Sequence, residues 1–295
     1  MTAGATRWRR RLGAAGLAVT LGASPAPAAG GPAAAQSTGR DVLVHETRSP
    51  FSHIRIRDRG SRRTLYFVRD NGQEVVETSI DLRSPHLLQI QYTQLMFVRL
   101  LYQPEPEASL IVGLGGGAMV RFLNHFFPQV RVDVVEIDPL IVAIARRYFG
   151  TEPRPGTRIF TEDGLAYLGK TPERYDVIYM DAFLKPGGDT DTTGVPLRLK
   201  AVAFLKSLHE RLRPGGLVVF NINASEETEV DLATIRRAFP AVDVYRVPGT
   251  GTVVAVGGPR ERMPGDPELR ERARALDRRR DHGFSFERLL TYRGP

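Results

Sequence analysis

The sequence predicts an α/β fold: a nucleotide-binding sheet of mainly parallel strands, with a small antiparallel β region ahead of it. Three observations carry this prediction. Residues 110–138 read as an apolar run, a loop holding Gly113, Gly115, Gly116 and Gly117, an amphipathic segment, and a second apolar run closing at Glu136. Two later strand-like runs lead to acids in the same way, at Asp163 and Asp181. Short alternating segments separated by turn residues fill positions 41–78, as small antiparallel strands would.

In chain order, residues 1–35 read as an export signal. Arg7, Arg9, Arg10 and Arg11 precede an apolar stretch from Leu12 to Ala23, and small residues at Ala33 and Ala35 suit cleavage before Gln36. The adjacent arginines permit a twin-arginine route, so a periplasmic or secreted location is expected, and a cytoplasmic one if the signal is not used. The apolar part is too short and too rich in Gly and Ala for a membrane span. Residues 36–40 form a linker, and 41–83 a small β domain with Asn71-Gly72 as a turn. Residues 84–106 are a connecting helix and boundary. Ser84-Pro85 resembles an N-cap with proline at the first helical position, Leu88, Tyr92, Leu95, Met96 and Leu100 recur at helical spacing to about Tyr102, and Pro104 and Pro106 close the segment.

The nucleotide-binding domain spans 107–260. It is expected to contain strands at 109–113, 130–136, 157–161, 175–180, 217–221, 242–247 and 252–257, the last two an antiparallel hairpin. Helices are expected at 117–127, from Pro139 to about Tyr148, briefly to Leu168, from Pro196 to Arg213, and at 226–238. The irregular stretch from Ala182 to Val195 has the length of a substrate lid. Residues 261–295 form a charged helical tail.

The composition narrows the chemistry. With 295 residues and no cysteine, disulfides, thiolate catalysis and Cys-ligated zinc are excluded. The net charge is +8, but the four N-terminal arginines supply half of it and no aromatic-basic stripe accompanies the rest, so no nucleic-acid partner is expected. The six histidines have no metal-ligand spacing, no Ser-His-Asp arrangement stands out, and the glycine loop lacks the Lys-Ser/Thr ending of a P-loop. Three strand tips instead bring Glu136, Asp163 and Asp181 to one edge, beside the glycines. A carboxylate at Glu136 can accept two hydrogen bonds from a ribose diol, while three acids disfavour a pyrophosphate. The edge suits an adenosine whose remaining group is neutral or cationic, such as a sulfonium. Asp163 can equally cap the helix that follows it, Asp181 can hold the next loop by backbone hydrogen bonds, and Tyr92 can be ordinary core.

V-E-I-D-P at 135–139, A-R-R-Y-F at 145–149, E-D-G at 162–164, Y-D-V-I-Y-M-D at 175–181 and L-R-P-G-G at 212–216 stand in an order that resembles the polyamine aminopropyltransferases, the spermidine synthase family. The resemblance implies a class I methyltransferase-like (Rossmann-like) seven-stranded sheet preceded by a small antiparallel β domain, and a homodimer. It also implies roles. Gly113, Gly115, Gly116, Gly117, Glu136, Asp163 and Gly164 would hold decarboxylated S-adenosylmethionine, with Glu136 on the ribose and Asp163 on the adenine amino group. Asp181 would help deprotonate the attacking amine, because an alkylammonium near pKa 10 has no nucleophilic lone pair.

The chain departs from the family at the amine end. Gly116 stands where the loop has its substrate-binding aspartate, Leu184 replaces the second aspartate of D-S-T-D-P, and Tyr92-Thr93-Gln94-Leu95 replaces Y-H-E-M. Glu77 stands for a glutamine ahead of the first helix. Tyr92, Gln94, Glu77 and the lid acids Asp189 and Asp191 are therefore the candidate acceptor ligands. The leading expectation is aminopropyl transfer to a small polyamine-like amine, without a metal. The alternatives are an S-adenosylmethionine-dependent methyltransferase and an inactive adenosyl-binding or scaffold protein.

Overall fold

Four strands, β1 (Asp41–Arg48), β2 (His53–Arg59), β3 (Arg62–Val68) and β4 (Glu74–Asp81), pair in chain order as an antiparallel meander. The computed structural model describes residues 39–103, 105–259 and 263–294. The segment read as an export signal lies outside the described residues. At the β3–β4 turn Gly72 adopts φ 82° and Gln73 N–H donates to Asn71 Oδ1 at 2.9 Å, as the Asn-Gly pair predicts.

The expected helix from Ser84 to Tyr102 is much shorter. Helix α1 covers Gln91–Met96 and continues as a 3₁₀ turn, Phe97–Leu101, while 84–90 runs as turns. Ser84 does not cap: its N–H donates to Asp81 O, Arg83 N–H goes to Asp81 Oδ1, and Arg121 takes the Pro85 carbonyl at 2.9 Å. Those bonds occupy the groups an extra helical turn would need.

The second sheet holds β5 (Ala108–Val112), β6 (Arg131–Glu136), β7 (Thr157–Thr161), β8 (Tyr175–Met180), β9 (Leu212–Ile222), β10 (Ala241–Arg246), β11 (Val253–Gly258) and β12 (Arg293–Gly294). Its order is β12-β10-β11-β9-β8-β5-β6-β7. Strands β5 to β9 are mutually parallel, and β11 joins β9 antiparallel, so the seven expected strands are present with a two-residue edge strand added on β10. The chain runs outward from β5 through β6 and β7, then returns to place β8 on the other side of β5. Between β5 and β8 is the reversal of order, where open parallel sheets bind ligands at their carboxyl ends.

Helices α2 (Ala118–Phe126), α3 (Pro139–Phe149), α4 (Gly164–Lys170), α5 (Val202–Ser207) and α6 (Thr228–Ala238) cover the sheet. The single helix expected over 196–213 is broken into a 3₁₀ turn at Leu197–Lys200, α5, and a second 3₁₀ turn at Leu208–Arg211. Lys200 causes the break. Its ammonium is drawn among Asp191 (2.9 Å), Asp231 (2.7 Å) and Glu227 (3.1 Å), and Ala201 is left extended at ψ 131°. Strand β9 also starts earlier than expected, taking Pro214-Gly215-Gly216 into an irregular pairing with β8. The tail contains α7 (Asp266–Arg279), which buries Leu269, Ala273 and Leu276, and α8 (Phe286–Leu290), which buries Phe286 and Leu289. Among the described residues no helix is long and apolar enough to cross a membrane.

The small sheet is fastened to the large one at the mouth of the reversal. Ser49 and Ser52 hydroxyls, from the β1–β2 turn, donate to Asp138 Oδ2, and Gly116 N–H donates to Thr78 Oγ1 at 2.8 Å. This docking turns an open sheet edge into a walled cavity.

Candidate active site

A cavity open to solvent lies over the carboxyl ends of β5, β6 and β8 and under the small sheet. The glycine loop forms its floor. Gly113 has φ 99°, and a Cβ there would stand 2.1 Å from the carbonyl oxygen of Asp181, so only glycine lets the loop after β5 touch the loop after β8. Glu136, at the tip of β6, is 8% exposed, and its two oxygens accept from Leu114 N–H (2.9 Å) and Asp138 N–H (2.8 Å). Burial pushes its carboxyl up to about 7, against the pull of those backbone donors. Asp163 caps α4 by accepting from Ala166 N–H at 2.9 Å, and its other oxygen pairs with Arg198. Gly164 follows it in the cavity wall.

Asp181 follows β8 on the same wall. Its Oδ1 accepts from Asn221 Nδ2 of β9 at 2.8 Å, and burial pushes the carboxyl up to about 6 despite that bond. Glu77 of β4 and Tyr92 of α1 face the cavity from the small-sheet side. Tyr92 donates to the backbone carbonyl of Glu77 at 3.4 Å, and burial with the nearby acids holds its phenol well above the ordinary range, so it stays neutral. Glu77 is raised to about 8, first by burial and then by the charge of Asp181, with Arg69 opposing.

Of the residues singled out in the sequence, Gly113, Gly115, Gly117, Glu136, Asp163, Gly164, Asp181, Tyr92 and Glu77 thus line one cavity. Four do not. Gly116 sits behind the wall, where a Cβ would come within 2.8 Å of Thr78 Cγ2 and 2.9 Å of the Phe149 ring. Gln94 donates its amide to Leu88 O at 2.9 Å. Asp189 is exposed on the loop. Asp191 is consumed inside the loop, accepting from Thr193 N–H and Oγ1, Val195 N–H and Lys200, which makes this connection an ordered strap.

The sequence reading missed Asp138, Thr78, Asn221 and Arg198. Asp138 had a visible signal, an acid before Pro139 that caps α3 through Leu140 N–H. The other three act through contacts far along the chain, which no local pattern announces.

A model of the spermine/spermidine synthase domain matches residues 89–249. The chain belongs to the spermine/spermidine synthase family. Its sequence is 29% identical over 244 residues to the polyamine aminopropyltransferase of Vibrio vulnificus, a match covering 81% of this chain and 79% of that one. It is 32% identical over 194 residues to the eEF1A lysine and N-terminal methyltransferase of Mus musculus, covering 61% of this chain but only 27% of that longer protein. Among solved structures, a probable spermidine synthase from Corynebacterium glutamicum superposes with a TM-score of 0.65 at 23% identity, over 80% of this chain and 87% of that one. Human methyltransferase-like protein 13, solved with SAH, gives 0.60 at 27% identity, over 68% of this chain and 98% of that one. The chain sets its small β sheet over the cavity. Among its described residues no group of three or more His, Asp or Glu gathers as a metal site.

Proposed function

We propose that this chain transfers an aminopropyl group from decarboxylated S-adenosylmethionine to a small amine. The observation that carries the reading is the convergence of Asp181, Glu136 and the glycine loop on one cavity, in a chain of this family. In the reaction the amine nitrogen forms a bond to the carbon attached to the sulfonium, the C–S bond breaks with its electron pair going to sulfur, and the nitrogen gives up a proton. Glu136 offers each oxygen's remaining lone pair to the ribose hydroxyls while the backbone holds the carboxylate in place. Asp181 receives or relays the amine proton. A carboxyl raised to about 6 is ionised at neutral pH and more basic than an exposed one, which suits that task. The active form in this reading is a homodimer, exported through its basic and apolar N-terminus.

A methyltransferase is the second reading, favoured by the likeness to the mouse enzyme and by Gly116, which leaves the loop without its acid. Mass-spectrometric turnover of the full chain with decarboxylated or intact S-adenosylmethionine, beside a panel of diamines and polyamines, separates the two. Methylthioadenosine formed together with an acceptor heavier by one aminopropyl group is the expected result, and Asp181→Asn lowers that rate by about 10²–10⁴. Methyl transfer from the intact donor, or no consumption of either, refutes the leading reading.

A further inference from the structure

Five carboxylates line the cavity, and four of them are bonded by the protein. Asp138 accepts from Leu140 N–H and two serines, Glu136 from two backbone N–H groups, Asp163 from Ala166 N–H and Arg198, and Asp181 from Asn221. Glu77 is different: among the described residues nothing donates a hydrogen bond to its carboxylate. Its place on β4 is also irregular. Leu65 pairs with Thr78 and Tyr66 with Val76, so Glu77 is the extra residue of a β-bulge. Bulges beside a site re-aim one side chain without disturbing the rest of the strand, and the next residue, Thr78, still holds the glycine loop through Gly116 N–H.

The glycine loop offers no acid of its own here: at Gly116 there is no room for a side chain, because Thr78 and Phe149 fill the space a Cβ would take. The strand packed against that loop supplies a carboxylate one residue from the contact. We propose that Glu77, presented by the β4 bulge, binds the donor's primary ammonium and rejects a donor that still carries a carboxylate. This rests on the aminopropyl-transfer reading for its donor, but the discrimination is a property of binding alone.

The physical basis is the charge gathered at that end. Glu77 from β4 shares the cavity with Asp181 after β8 and Glu136 at the tip of β6, with the neutral phenol of Tyr92 from α1 beside it and the Arg69 cation, from the turn after β3, opposing their charge. Arg69 is itself tied to the strap through Thr192 O at 3.1 Å. Raised to about 8, Glu77 is largely protonated at neutral pH while the cavity is empty; an ammonium entering here favours its ionised form and gives it a charge-assisted partner. The extra carboxylate of intact S-adenosylmethionine adds a like charge to the same group of acids.

The test is a binding comparison on the full chain, wild type and Glu77→Gln. The amide is isosteric and the carboxylate it replaces accepts no hydrogen bond from the described residues, so folding is not at stake. Calorimetric titrations with decarboxylated S-adenosylmethionine, intact S-adenosylmethionine and methylthioadenosine give three dissociation constants for each protein. The wild type is expected to prefer the decarboxylated donor at least tenfold, and Glu77→Gln to narrow that preference tenfold or more while leaving methylthioadenosine, which has no ammonium, within twofold. An unchanged preference in Glu77→Gln, no preference in the wild type, or an equal loss for methylthioadenosine overturns the assignment. A wild type that discriminates between donors yet transfers nothing to any amine sinks the proposed reaction and leaves the role of Glu77 standing.

Discussion

The two ends of the cavity are built by opposite means. At the end proposed for the adenosyl group the protein answers its own carboxylates: backbone N–H groups bond Glu136 and Asp163, and the glycine loop is locked between β4 and the loop after β8. At the end proposed for the amine it leaves them wanting, since Asp181 has a single side-chain donor and Glu77 none among the described residues. The first end is preorganised and loses little freedom when a ligand arrives. The second stores unfavourable desolvation and repulsion that a cation relieves, so affinity there depends on the charge of the ligand.

Breaking the rigid end should cost the most. Gly113→Val puts a β-branched side chain at φ 99° and drives its Cβ into the Asp181 carbonyl, for which the closest approach is 2.1 Å. The loops after β5 and β8 must then part. Urea denaturation is expected to show a loss of about 3–5 kcal/mol, the combined scale of left-handed strain and overpacking. A change below about 1 kcal/mol would mean that the two loops are free to separate, and the adenosyl end would not be the preorganised half.

The unsatisfied end should reveal itself through pH. Burial holds the carboxyls of Asp181 and Glu77 at that end at about 6 and 8, and that of Glu136 at the other end at about 7, each above its value in an unfolded chain. The folded protein therefore binds more protons than the unfolded one across this window, and its stability falls as pH rises from about 5 to 8. The expected fall without ligand is about 2 kcal/mol, because water in an open cavity screens much of the penalty. Glu77→Gln should flatten the curve mostly toward its alkaline side, where Glu77 is the acid that ionises last. Denaturation at a series of pH values tests this, and a stability that rises toward pH 8 in both proteins would remove the contrast between the two ends.

How much of this was legible in the sequence follows the range of the forces involved. The loop of Gly113 to Gly117 and the acid at Glu136 lie within one strand-loop-helix-strand unit, whose steric needs are written locally, and the order of strands follows from the apolar runs. The start of α1 was misread because the groups that end the turn region are bonded by Asp81 and by Arg121, the latter brought from α2. Asp191 looked like a free loop acid because Lys200, which pairs with it and with Asp231, is brought to it only in three dimensions. Gly116 showed only as a missing aspartate. That Thr78 and Phe149 exclude any side chain there, and that a bulge turns Glu77 toward the same end, required the packing of the small sheet on the large one.

Arg198 marks the limit of the contrast, since it is a side-chain partner at the end where the backbone does most of the bonding. It comes from the 3₁₀ turn after the strap, lines the cavity, and pairs with the oxygen of Asp163 that Ala166 does not use. With a side chain 56% exposed, the guanidinium loses little by leaving, and ion pairs of this kind contribute about 0.2–1 kcal/mol. If Asp163 accepts from an adenine amino group, Arg198 competes with the ligand for that oxygen. Arg198→Ala should then tighten methylthioadenosine binding by about threefold or less, with stability unchanged within about 0.5 kcal/mol. Weakening of the complex by about tenfold would show instead that the arginine holds the ligand directly, and the adenosyl end would owe part of its order to a mobile surface side chain rather than to the backbone.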